Sequence, residues 1–378
     1  MSIPYTRHTI DEDDVAAVVG VLHGDWLTQG PAVRAFEAAI AERCDVPYAV
    51  AFSSGTAALH ACAFAAGLGP GDELVTSAMT FAASANCAAY VGATPRFADI
   101  DPDTVNIDPA SVEAMIGERT RMVVPVHFAG LPAAVAEVRD AVGPDVVIVE
   151  DASHALGGAV DGEPVGNCAI AEMTVFSLHP AKSIAAGEGG VVTTRDRALH
   201  GRLTEFRSHG FTKDAGRLTR DEGGWYYEQH ALGFNYRLSD IHAALGTSQL
   251  GKLDAFVDAR IAVARRYREL LGDVDGLSLP IPEPPGVRHA YHLFVVRVDG
   301  AERRRALYDA LHARGILAQV HYVPVYWHPW YGERYGYGPG LCPNAEAYYA
   351  GCLSLPCFPR LTRAQQDEVV GAVTGALA

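Results

Sequence analysis

Between residues 46 and 194 the chain returns repeatedly to short runs that are apolar on both faces. They are VPYAVAF (46–52), ELVTSA (73–78), TPRFADI (94–100), RMVVPVHF (121–128), VVIVEDA (146–152), MTVFSL (173–178) and GGVVTT (189–194). The first leads through the turn Ser53-Ser54-Gly55 into a small-residue helix, TAALHACAFAAG, and the second precedes a helical stretch that ends near Val91. A strand without a polar face has to be covered on both sides. Such runs, joined by crossovers, predict an α/β fold with a mostly parallel sheet between helices. Sheets of this kind gather ligands at the carboxyl ends of their strands, so the residues ending each run come first.

Beyond the sheet region, Leu250, Leu253, Val257, Ile261, Ala264, Tyr267 and Leu271 recur at helical spacing and predict one amphipathic helix from Gln249 to Leu271. Gly272 and IPEPPG (281–286) then break the pattern. YHLFVVRV (291–298), a helix near 301–314 and LAQVHY (317–322) read as a small α+β domain. The expected division is a large domain over 1–248, including the N-terminal segment, and a small domain over 249–378 with its linking helix.

Charge narrows the function. Thirty Lys and Arg stand against 45 Asp and Glu, a net −15, and the basic residues are scattered. The longest basic run, Arg303–Arg305, follows Glu302 on the solvated face of a helix. An acidic chain without a basic stripe is a poor nucleic-acid binder. Seven cysteines form no CxxC and leave an odd one over, which fits free buried thiols in a reducing cytoplasm. No stretch approaches about 18 uninterrupted apolar residues, and MSIPYTRHTIDEDD has no apolar leader segment, so no membrane association is expected.

Four features then fall at strand ends. Asp151 closes VVIVED, where a carboxylate needs a hydrogen-bonding or cationic partner. Ser177 closes MTVFS. Lys182 lies in FSLHPAKSIAAGEGG (176–190) with no acid directly beside it. Ser54-Gly55-Thr56 opens a helix after a strand, where free amides and the positive dipole end attract a phosphate. Taken singly these are a cap, a turn hydroxyl, a loop lysine and a routine helix start. Together they are what pyridoxal 5′-phosphate (PLP) needs: a cradle for its phosphate, a carboxylate for its pyridine nitrogen and an amine for its aldehyde. Phe81 follows the next strand and is placed to stack on the ring. Apolar Leu178, Ile184 and Ala185 disfavour the ammonium form of Lys182. Glu188 is expected to cap or pair within its own loop.

These stretches resemble the DegT-type sugar aminotransferases, a branch of the fold-type I PLP enzymes. The resemblance runs from Ile3 to the C-terminus through WLTQGP (26–31), SSGTAAL (53–59), MTFAASAN (79–86), PVHFAG (125–130), VEDASHALG (149–157), FSLHPAKSIAAGEGG, GFNYRLSDI (233–241) and GILAQVHY (315–322). It implies that Lys182 is the Schiff-base lysine and that Asp151 pairs with the pyridinium nitrogen. His154 would lie beside the ring, Gly55, Thr56 and Ser177 would hold the phosphate, and Phe81 would cover the ring face. Asn235 would reach the phosphate of a neighbouring subunit, making a homodimer with shared sites. Tyr5, Trp26, Leu27, Thr28, His321 and Tyr322 match positions that border a nucleotide-linked sugar. Residue 53 is Ser where many relatives carry Asn, a change that a cradle built from backbone tolerates.

IPYT, LTQG, HPAKSI, AQVHY and SLPC are most similar to the branch acting in the pseudaminic-acid pathway. That branch passes an amino group, through the pyridoxamine form of the cofactor, to C4 of UDP-2-acetamido-2,6-dideoxy-β-L-arabino-hex-4-ulose. L-glutamate is the usual family donor. Other keto-sugars, dTDP-linked or cyclitol, are the alternative acceptors within the family. A PLP-dependent sugar dehydratase is a rival on the same scaffold, but those relatives carry His where this chain has Lys182. A nicotinamide-dependent oxidoreductase lacks its fingerprint, since Gly67-Leu-Gly-Pro-Gly71 has the wrong spacing and precedes a strand. No His, Cys and acid set has metal-ligand spacing, and aromatic packing explains YVPVYWHPWYGERYGYG (322–338).

Overall fold

The computed structural model describes residues 2–378. Its centre is a seven-stranded sheet of β1 (Tyr48–Phe52), β2 (Glu73–Ser77), β3 (Thr94–Ala98), β4 (Thr120–Val124), β5 (Val147–Asp151), β6 (Met173–Ser177) and β7 (Gly190–Thr194). The spatial order is β1-β7-β6-β5-β4-β2-β3. All neighbours pair in parallel except β7, which runs antiparallel to both β1 and β6. Each strand expected from the apolar runs is present. Their residues are almost entirely buried, as strands covered on both faces must be.

The helices that matter for the site are α1 (Glu12–Leu22), α2 (Pro31–Arg43), α3 (Gly55–Ala65), α4 (Ala83–Tyr90), α5 (Asp240–Leu250) and α6 (Leu253–Leu271), while α7 (Gly300–Ala313) lies in the C-terminal part. The single helix expected over 249–271 is therefore two. Gly251 and Lys252 separate them, and Lys252 is drawn aside to ion pairs with Asp11 and with Asp14 at 3.0 Å. Apolar spacing could not reveal the break, because residues on either side of it, Leu250 and Leu253, pack against the same core.

α6 joins two cores. Its Leu253 and Val257 pack with Phe36, Phe176, Leu178 and Ile184. Val263, Tyr267 and Leu271, further along, pack with Phe294, Leu307 and Leu353. The second core backs a small sheet of β8 (Leu277–Ser278), β9 (Phe294–Val298) and β10 (Cys352–Leu355), all antiparallel. Three local details shape this region. Ile3 and Pro4, expected with the large domain, pair in parallel with Ile316 and Leu317, and Ile3 is buried in the second core. LAQVHY forms no full strand: beyond Leu317 only Gln319 bridges to Ser354. YHLFVVRV becomes a strand only from Phe294, because Tyr291 and His292 turn their carbonyls toward the Arg260 guanidinium.

The turn Phe128–Gly130 meets the segment 290–293 at close range. Gly130 has φ +100°, and a Cβ there would lie 2.8 Å from the His154 carbonyl oxygen and 2.9 Å from the Tyr291 nitrogen. Gly130→Ala is expected to cost at least about 2 kcal/mol, read as a lower urea midpoint with unchanged slope. All seven cysteines are buried and unbridged. Among the described residues no helix is long and apolar enough to cross a membrane.

Candidate active site

The carboxyl ends of β1, β5 and β6 open into one cavity of 430 Å³, a size typical of small-molecule sites. Gly55, Thr56, Phe81, Asp151, His154, Ser177, Lys182, Tyr5, His321 and Tyr322 all line it.

At one end α3 starts directly after β1. Ser54 caps it by accepting the Ala57 N–H at 3.1 Å, which leaves the amides of Gly55 and Thr56 without acceptors inside the helix. A Cβ on Gly55 would sit 3.1 Å from the Ser177 Cβ and 3.3 Å from its Oγ. Glycine at this position lets the hydroxyl approach the helix end. Free amides, a hydroxyl and the positive end of an eleven-residue helix form an anion cradle.

Asp151, 5% exposed at the tip of β5, accepts a hydrogen bond from Ser84 Oγ at 2.6 Å and another from the Ser153 N–H at 3.1 Å. These bonds fix its carboxylate. Behind it, buried Glu150 accepts from His127 Nε2 and Thr174 Oγ1, each at 3.1 Å. His127 Nδ1 accepts the Ala133 N–H at 2.8 Å, so its proton sits on Nε2.

Lys182 lies in the loop joining β6 to β7. The loop closes on itself through Leu178 N–H to Gly189 O and Ala186 N–H to Leu178 O, both 2.9 Å. Burial is the main influence on the amine and pushes its pKa from 10.5 down to about 8. Asp151 acts in the opposite direction, and Arg260 adds to the lowering. Three of the four imidazoles on the cavity wall are shifted. Burial, then the nearby Lys182, hold His154 and His292 well below their usual pKa and bring His321 to about 4. All three are neutral at pH 7. The His154 and His292 rings pack at a tilt with centroids 4.3 Å apart, and His154 Nε2 meets the Tyr322 hydroxyl at 3.1 Å. Burial raises the Tyr322 hydroxyl pKa, so it stays protonated.

A lysine held below its unfolded pKa destabilises the empty site. Between about 8 and 10.5 the unfolded chain binds the proton that the folded chain has released, so stability contributed by this group rises with pH through that window. Cofactor-free Lys182→Met is expected to exceed wild type by about 1–3 kcal/mol at pH 7, a figure already discounted for solvent in the open cavity. Urea denaturation at pH 7 and pH 10 should show that advantage shrinking.

Not every expected residue enters the cavity. Trp26 and Leu27 are exposed, Thr28 bridges to Ser239, and exposed Asn235 bridges to Ser208; none lines it. Phe81 does, with 62% of its surface open and therefore available to a planar ligand. Glu188, expected to pair within its loop, lines the cavity with no hydrogen-bond or ion-pair partner among the described residues. Sequence reasoning missed Ser153, His179 and His292 at the wall, and Ser84 behind Asp151. Ser84 lies inside MTFAASAN, but nothing in that stretch signals a bond to residue 151.

On the cavity wall, His154 Nδ1 and His292 Nδ1 are buried without partners. Buried polar atoms are nearly always satisfied, so orphans grouped around a cavity point to a ligand that completes them. The wall fits PLP in each part: cradle, carboxylate, amine and an open aromatic face.

That equipment, at one edge of a mostly parallel sheet, is the hallmark of pyridoxal-phosphate-dependent aminotransferases. Residues 8–374 match the DegT/DnrJ/EryC1/StrS aminotransferase family, and the chain belongs to that family. It is 38% identical over 376 residues to the spore coat polysaccharide biosynthesis protein SpsC of Bacillus subtilis (strain 168), covering 98% of this chain and 96% of that protein. Among solved structures it resembles Helicobacter pylori PseC, an aminotransferase involved in the biosynthesis of pseudoaminic acid. That match has a TM-score of 0.91 and 32% identity, and covers 100% of this chain and 99% of PseC. The sugar aminotransferase Spr1654 of Streptococcus pneumoniae matches in its PMP form at TM-score 0.91 and 28% identity, over 100% of this chain and 98% of the other.

Proposed function

We propose that this aminotransferase moves the amino group of L-glutamate to C4 of a nucleotide-linked 4-keto-6-deoxy sugar, with UDP-2-acetamido-2,6-dideoxy-β-L-arabino-hex-4-ulose as acceptor. The observation that carries the reading is the Lys182 amine, lowered to about 8 in a cavity that also holds Asp151 and the α3 amides. When bound, the cofactor supplies an electron sink that makes a proton next to nitrogen exchangeable. Lys182 takes that proton from Cα of the donor and returns one to C4 of the sugar, work that suits a group titrating near neutrality. Asp151, fixed by Ser84 and Ser153, would meet the pyridine nitrogen. Gly55, Thr56 and Ser177 would hold the phosphate, and His154 and Phe81 would adjoin the ring.

Tyr5, His321 and Tyr322 line the cavity on the side of the C-terminal part and would border the sugar. His321 is oriented by its Nδ1 contact with Ser354 Oγ at 2.7 Å, and Tyr5 packs on its ring at 5.3 Å. Trp26, Leu27, Thr28 and Asn235, outside this chain's own cavity, would serve the site of a second subunit in a homodimer. The unbridged thiols support a cytoplasmic enzyme. The test is a glutamate-coupled screen of UDP- and dTDP-linked 4-keto sugars and cyclitol ketones, with C4 stereochemistry of sugar products read by NMR. Conversion of the UDP-linked acetamido sugar alone is the expected result; preference for a dTDP-linked or cyclitol ketone would sink this substrate assignment.

A further inference from the structure

Arg260, on α6, is 1% exposed, and no carboxylate pairs with it among the described residues. Its Nη1 donates to the carbonyl oxygens of Cys357 at 2.7 Å and of Tyr291 and His292 at 3.3 Å each, while Nη2 reaches the Lys182 carbonyl at 3.4 Å. A buried cation that is met only by carbonyl dipoles is costly, and packing alone would be served as well by an apolar side chain. The guanidinium does what a point charge cannot: its planar fork spans four acceptors on three separate segments.

We propose that Arg260 is the positioning residue for Lys182, tying the backbone of the lysine loop to the two C-terminal segments that close the cavity. The proposal rests on Lys182 being the lysine that carries the chemistry. Other contacts to the loop fall on either side of residue 182. Thr6 Oγ1 donates to Ala181 O at 3.3 Å, and Gln249 Oε1 accepts the Ala185 N–H at 3.3 Å. Gln249 is anchored in turn by donating to Asp14 Oδ2 at 2.7 Å and Thr9 O at 2.9 Å. Arg260 holds residue 182 itself, and through His292 it holds the ring packed against His154.

The fork also brings a charge. The titratable groups sharing the lysine's cavity are Asp151 and His154 beyond β5, His179 and Glu188 in its own loop, Tyr5, and His292, His321 and Tyr322 from the C-terminal part. Asp151 opposes the lowering of the lysine's pKa, and His154, His292 and His321 are neutral. Arg260, behind the loop, is the fixed positive charge that resists protonation of the amine.

Two variants of the holoenzyme separate fork from charge. Arg260→Gln removes the charge and half the reach. The pH midpoint of its cofactor absorption band should rise by roughly half a unit or more, and kcat should fall about tenfold or more with KM for glutamate within about twofold. Arg260→Lys keeps the charge but cannot span the carbonyls. Its midpoint should stay near wild type while kcat falls similarly, and it provides the measurement if the Gln variant does not fold. Wild-type kcat in either folded variant overturns the proposal, as does a fall in kcat matched by an equal change in KM. Borohydride reduction and peptide mass spectrometry keep the two readings apart. A wild-type adduct anywhere but Lys182 sinks the lysine assignment and this proposal with it. An adduct at Lys182 with unaffected Arg260 variants sinks this proposal alone.

Discussion

Lys182→Ala is expected to lose turnover by at least about 10⁴-fold, because one side chain serves as tether, base and acid. The protein should nevertheless fold and bind the pyridoxamine form, since the α3 amides, Ser177 and Asp151 remain. The decisive measurement is single-turnover absorbance with glutamate, alongside a coupled steady-state assay. A small primary amine added to the variant should restore part of the rate, more so as its pKa approaches that of the missing lysine near 8. Turnover by the variant at a tenth of the wild-type rate would remove Lys182 from the chemistry.

Asp151→Asn is expected to reduce kcat by about 10²–10³-fold, the usual scale for loss of one preorganised electrostatic partner. The amide is nearly isosteric, so the fold and the cavity should survive. What disappears is the negative charge that favours a protonated pyridine nitrogen. Ser84→Ala should give a much smaller loss, because it frees the carboxylate's orientation without removing its charge. Equal damage from the two changes would mean that geometry, and not charge, is what residue 151 contributes. Transient kinetics of the glutamate half-reaction distinguishes these outcomes.

Much of the scaffold was legible because a strand buried on both faces has to be written in apolar residues, whatever lies beside it. The seven runs and their closing residues, Phe52, Asp151 and Ser177 among them, could be read directly. The cavity wall was partly legible for the same reason: Gly55, Asp151, Ser177 and Lys182 occur at strand ends or just beyond them. His292 was not. It lies one residue before Leu293 in what reads as a strand, and only the pull of Arg260 on its carbonyl shows that the ladder starts later. Arg260 itself was hidden at a helix position flanked by Ala259 and Ile261, where its charge looked like that of any surface residue. The interruption at Gly251 and Lys252 escaped because both neighbouring helices feed one core. Trp26, Leu27, Thr28 and Asn235 carry signals that a single chain does not use in its own cavity.

The reversed strand β7 has a mechanical consequence. It is hydrogen-bonded to β6 on one side and β1 on the other, so Gly190 stands in register with both Ser177 and Phe52. The start of α3 and both ends of the lysine loop are thus mounted on a single stiff plank. Sliding or tilting of residues beyond α6 would reshape what an incoming sugar encounters. It would leave the span from the helix cradle to the foot of the lysine loop unchanged, like the fixed jaw of a caliper.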